Sequence, residues 1–93
     1  MSIIEKVVDI PAEHSSNIFG SCDAYVKKIE RTLKVTIIAR DSEIKLVGAE
    51  SAVTRAAAVF AQLLELARRG NTITEQNVDY AISLAFEDKA EAI

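Results

Sequence analysis

The period of the apolar positions switches along this chain from strand-like to helical, back to strand-like, and to helical again. Over residues 3–10 the β-branched Ile3, Ile4, Val7, Val8 and Ile10 are interrupted by Glu5, Lys6 and Asp9. The alternation is imperfect, yet the composition predicts a strand, ended by Pro11, a residue suited to the first turn of a helix. Residues 11–19 read as a short helix, polar until Ile18 and Phe19, which only packing can hold. Cys22, Val26, Ile29 and Leu33 then recur at 4-3-4 spacing, the buried stripe of a second helix over residues 23–33. Residues 34–40 alternate again, with Val35, Ile37 and Ala39 on the expected buried face. After the polar turn Asp41-Ser42, residues 43–48 return with Ile44 and Leu46 inward. Ile38 and Val47 fall on the opposite face, with Thr36 and Lys45.

From residue 49 to 69 the pattern is helical, with a wide apolar face of Val53, Ala56, Phe60, Leu63, Leu64 and Ala67. Glu50 suits the start of that helix, and Arg68-Arg69 followed by Gly70 form a stop. Thr74 is placed to cap a last helix in which Val78, Ala81, Ile82 and Ala85 share a face. Phe19, Phe60 and Phe86 read as core residues, and residues 87–93 lose periodicity. The order is strand, helix, helix, strand, strand, helix, plus one appended helix. That predicts an α+β layer fold, a three-stranded antiparallel sheet with its helices on one face.

Composition narrows the picture. Ninety-three residues suffice for one domain with one core, and 49% hydrophobic with 27% charged residues is ordinary globular usage. The single cysteine, Cys22, excludes an internal disulfide or a multi-cysteine metal cluster. Residues 1–3 lead into a strand pattern rather than a signal peptide, and no apolar run reaches spanning length, so a cytoplasmic setting without membrane contact is expected. The net charge of −3 argues against nucleic-acid binding by bulk electrostatics and leaves a local basic face as the alternative.

The candidate chemistry centres on Gly20-Ser21-Cys22-Asp23, between the first two helices. Gly20 can take the positive φ that ends a helix, and a glycine turn ahead of a helix start offers free N–H groups to a phosphate. Lys27, Lys28 and Arg31 lie on the helix that follows, and Lys34 and Arg40 could extend them into a basic strip. Glu13, Glu30 and Asp41 interrupt that strip, so a mixed, solvated helix face is the competing reading. Tyr25 could stack a base or cover the edge of the core. Asp23 is either the cap of the second helix or a like charge beside an incoming phosphate, which costs about 4 kcal/mol at ~4 Å and an effective dielectric of ~20. Cys22, on the apolar stripe, reads as buried and inert. His14 has no second ligand or paired nucleophile and reads as a surface residue. No catalytic constellation is visible.

The element order, with Gly20 at the first helix–helix turn, resembles a type I K-homology (KH) domain, in which a G-x-x-G loop clamps single-stranded nucleic acid. Here Asp23 stands where the second glycine would be. The wording is closer still to one subgroup. Val8-Asp9-Ile10-Pro11, Ile18-Phe19-Gly20-x-x-Asp23, Lys28-Ile29-Glu30, Val35-Thr36-Ile37-x-Ala39-Arg40, Ile44-Lys45-Leu46-x-Gly48 and Gly70-Asn71-Thr72-Ile73-Thr74 together resemble the N-terminal domain of the PhoH-like (phosphate starvation-inducible) P-loop ATPases.

The resemblance implies a KH-like domain over residues 1–70, an appended helix over 71–86 packed on it, and a frayed tail over 87–93. It implies an accessory domain that is not itself an enzyme and contributes to single-stranded RNA binding, with Gly20, Ser21, Lys27, Lys28 and Arg31 as contacts and Asp23 modulating or capping. The P-loop domain, with its ATP and Mg²⁺, would lie elsewhere in a parent protein expected to be a homo-oligomer. The sequence has no G-x-x-x-x-G-K-[ST], so no cofactor is expected in this chain. The alternative is a protein-interaction or oligomerisation module without nucleic-acid binding, using Ile38 and Val47, joined by Val7, as its interface.

Overall fold

The computed structural model describes residues 3–19, 24–40 and 42–87, without the side chains of Ser15, Ser16, Phe19 and Glu87. The elements run β1 (Ile3–Asp9), α1 (Ala12–Phe19), α2 (Ala24–Leu33), β2 (Thr36–Ala39), β3 (Glu43–Ala49), α3 (Glu50–Arg68) and α4 (Glu75–Glu87). The strands form one antiparallel sheet in the order β1-β3-β2, so β3 is central and β1 and β2 are the edges. This is the expected α+β arrangement with a KH-like element order, an open sheet and an appended helix.

Strand alternation explains the irregular pattern of β1. Ile4 and Val8 pack against the core and Ile10, just past the strand, is fully buried, whereas Ile3, Glu5, Val7 and Asp9 take the other face. The doublets Ile3-Ile4 and Val7-Val8 therefore put one residue on each face. On β3, Ile44 and Leu46 are fully buried, as the period predicts. Val26, Ile29 and Leu33 of α2 meet them, with Ile18 of α1 and Val53, Ala56, Val59, Phe60, Leu63 and Ala67 of α3. From α4, Val78, Ala81, Ile82 and Ala85 complete the same cluster, joined by Ile73 from the segment before it.

Two helices end in the same hydrogen-bonded closure. After α3, Gly70 takes φ 90°, its N–H donates to the Ala67 carbonyl, and the Asn71 N–H reaches back to the Leu66 carbonyl. This is the Schellman pattern that the glycine announces. After α2 the same reach runs from the Val35 N–H to the Glu30 carbonyl, and the residue in the left-handed conformation is Lys34, at φ 59°.

That closure corrects the expected bounds of the second strand. Lys34 and Val35 are spent on ending α2, so β2 is only Thr36–Ala39. Val35 is buried and Ile37 half-buried, but Ala39 is exposed, because a short edge strand carries its last residue beyond the helices that cover the sheet. Phe86 also departs from the expectation. It is 48% exposed near the end of α4, with the Arg55 guanidinium 5.2 Å above its ring, a cation–π contact at the rim of the core. Phe60 is fully buried, as expected, and the expectation for Phe19 falls on a side chain outside those described.

Candidate nucleic-acid interface

Burial of Val26, Ile29 and Leu33 turns the opposite side of α2 outward, and at 100° per residue Lys27, Arg31 and Lys28 fall on that side, with Arg31 in the middle. Lys27 and Arg31 are exposed. Lys28 is not left open. Its Nζ lies 2.8 Å from Glu75 Oε2 and 2.5 Å from Asp79 Oδ1, two carboxylates one turn apart on α4. The hydrogen bond to Asp79, followed by that to Glu75, raises the Lys28 pKa above its ordinary 10.5. Arg31 and Lys28 line a shallow depression with Ala24, Tyr25, Thr32 and Glu75.

Glu30, which the sequence places among these cations, has a structural task. Its Oε2 accepts the Ile37 N–H at 2.9 Å and so satisfies an outward-facing amide of the β2 edge. Tyr25 is half-buried against the core and its hydroxyl donates to the Ile73 carbonyl at 3.3 Å, which settles it at the edge of the core. His14 is half-buried rather than the surface residue expected, with its Nε2 3.7 Å from Glu13 Oε2. Lys34 and Arg40 are exposed at either end of β2.

Of the junction itself, Gly20, Ser21, Cys22 and Asp23 lie outside the described residues, as does Asp41. What the structure gives is the pair of helices on either side and their common partner. Asn17, two residues before the end of α1, accepts the Ile73 N–H on Oδ1 at 2.8 Å and donates from Nδ2 to the Asn71 carbonyl at 2.9 Å. Tyr25, in the first turn of α2, holds the Ile73 carbonyl. Both helices that frame the junction are therefore tied to residues 71–73. Sequence reading missed Asn17, because a single polar residue in a short helix carries no mark of a partner 56 positions away.

The second candidate interface is the uncovered face of the sheet. Val7, Lys45 and Ile38 stand directly across from one another on β1, β3 and β2, and Glu5, Val47 and Thr36 form the next row. Lys45 Nζ lies 2.9 Å from Glu5 Oε2 on the diagonal between the rows. Ile3 is 69%, Val7 48% and Ile38 39% exposed, while Val47 in the central strand is half-buried. Val7 thus shares the face with Ile38 and Val47. Among the described residues no group of His, Cys, Asp or Glu is arranged to hold a metal ion, and no helix is long and apolar enough to cross a membrane.

No family model matches the chain. It is 32% identical over 79 residues to a PhoH-like protein of Bacillus subtilis (strain 168), a match that covers 85% of this chain and 25% of that protein. A PhoH-like protein of Mycobacterium tuberculosis (strain H37Rv) is 24% identical over 81 residues, covering 87% of this chain and 23% of that one. Among solved structures, a protein of unknown function from Aeropyrum pernix superposes with a TM-score of 0.74 at 17% identity, over 99% of this chain and 51% of its own. That likeness speaks for the fold alone. The chain is a homologue of PhoH-like proteins, with a KH-like fold that spans about a quarter of the length of those it matches.

Proposed function

We propose that this chain is an accessory domain at the N-terminal end of a PhoH-like protein and helps to hold single-stranded RNA beside an ATP- and Mg²⁺-binding P-loop domain in the rest of the parent chain. The parent is a homo-oligomer of the cytoplasm in this reading, and the domain itself performs no hydrolysis. The observation that carries the reading is the placement of Lys27 and Arg31, exposed on the free side of α2 immediately after the helix–helix junction. In this reading Gly20 and Ser21 add contacts to those of the two cations, and Asp23 limits the affinity. Phosphate contacts of this kind read no sequence and weaken with salt, by a slope of about 0.7 per contact on a single strand.

The test is fluorescence anisotropy of a labelled random single-stranded RNA at low and physiological salt. The reading expects salt-sensitive binding that Lys27→Gln with Arg31→Gln weakens about tenfold or more at low salt. Affinity that is indifferent to both salt and these two substitutions would sink it.

A second reading has an observation of its own. Three of the five exposed large hydrophobic residues among those described, Ile3, Val7 and Ile38, lie on the open sheet face, where a protein partner could cover them. Sedimentation of the wild type beside Ile38→Glu separates the readings. A concentration-dependent oligomer that the substitution dissolves favours assembly, whereas two identical monomers remove that support.

A further inference from the structure

The long-range polar bonds of α1 and α2 converge on one segment. Asn17 bonds Asn71 and Ile73, Tyr25 bonds Ile73, and Lys28 pairs with Glu75 and Asp79. That segment is also well formed at its helical end. The Thr74 hydroxyl accepts the Asn77 N–H at 3.3 Å, and Asn77 Oδ1 accepts the Thr74 N–H at 2.9 Å, a reciprocal cap. With the first turn of α4 fixed in this way, Glu75 and Asp79, four positions apart, face α2 together.

We infer that residues 71–79 form an acidic clasp over the cationic side of α2, in which Glu75 and Asp79 occupy Lys28 and withhold it from RNA phosphate. The inference rests on the RNA reading proposed above and adds a restraint built into the fold. A phosphate that approaches Arg31 meets a neighbouring lysine already held by two anionic oxygens, and must displace them to gain that contact. Lys27 and Arg31 remain open, so the domain binds with two of its three α2 cations until the clasp is released. Both the Asn17 and Tyr25 bonds are to backbone atoms of residues 71–73 and persist when the carboxylates are neutralised, so the clasp can open at Lys28 without detaching the segment.

The test is the affinity of Glu75→Gln with Asp79→Asn for labelled oligouridylate, against the wild type. The clasp predicts tightening of about three- to tenfold at low salt and a salt slope steeper by about 0.7, one additional phosphate contact. Adding Lys28→Gln to that pair removes the gain. Asp9→Asn with Glu43→Gln, the same charge change across the β1–β3 pair, controls for net charge. If that control tightens binding as much as the clasp pair, the inference is overturned. Equal affinity of wild type and clasp pair, both measurable, also overturns it and leaves the RNA reading standing. Silence from both proteins overturns the two together. Asp79→Asn alone, expected to give an intermediate gain, decides on the same criteria if circular dichroism shows the pair unfolded.

Discussion

Replacing Asn17 by alanine tests the tie between the first helix and the segment that leads into α4. In the folded chain the Asn17 amide makes two hydrogen bonds at 2.8 and 2.9 Å, and Ile73, whose N–H it accepts, is 3% exposed. Truncation leaves that part-buried N–H without an acceptor, which costs about 1–3 kcal/mol, whereas the exposed Asn71 carbonyl regains water at little loss. The net expectation is a destabilisation of about 2 kcal/mol, or a fall in Tm of about 10 °C for a domain of this size. Urea denaturation followed by circular dichroism measures the first quantity. Amide exchange at Ile73 measures the local one, which should accelerate about 30-fold, since ~1.4 kcal/mol corresponds to a factor of ten. Asn17→Asp keeps the acceptor but sets a carboxylate against the Asn71 carbonyl, so its loss should be measurable with Ile73 protection retained. A destabilisation of Asn17→Ala below about 0.5 kcal/mol would refute the idea that this amide holds residues 71–73.

Other expectations follow from single features. Lys34→Gly relieves a left-handed lysine at φ 59° and should raise stability by about 0.5–1 kcal/mol, read as a higher urea midpoint; a lower midpoint counts against the closure of α2 through Lys34. Thr74→Ala removes the side-chain half of the α4 cap and should cost about 1 kcal/mol, most of it restored by serine. The Lys28 pKa is raised in the folded chain, so its ion pairs stabilise fully below its ordinary 10.5 and are lost as pH climbs through the higher folded value. The stability gap between wild type and Lys28→Gln should therefore be level from about pH 7 to about pH 10 and close above that. A gap unchanged at the alkaline end would contradict the pairing with Glu75 and Asp79.

The sequence revealed most where an element repeats its signal. Ile44 and Leu46 could be assigned inward because β3 is the central strand, flanked on both sides, so its alternation is enforced along its length. Gly70 announced the end of α3 because glycine takes the left-handed position without strain. The same closure after α2 was hidden because a lysine fills it, and that misplaced the start of β2. Ala39 and Phe86 were also misjudged. Ala39 has the right periodicity but ends a short edge strand, whereas Phe86 reads as core from its residue type alone and lies near the end of α4, to one side of the Val78, Ala81, Ile82 and Ala85 face.

For the candidate site, helical spacing correctly grouped Lys27, Lys28 and Arg31. It could not show that Lys28 is taken by acids on a helix beginning 47 residues later, because ion pairing across a fold leaves no local pattern. Tyr25 and Glu30 were legible as residues near the site but not in their tasks, since both bond to backbone atoms whose positions only the tertiary fold supplies.

The most direct test of the central claim is amide chemical-shift mapping of the labelled domain titrated with short single-stranded oligouridylate. The account predicts salt-sensitive shifts that cluster at the end of α1, the junction and the exposed side of α2 through Arg31, with the open sheet face unaffected. Shifts confined to Val7, Ile38 and their neighbours, or none at low salt, would contradict it.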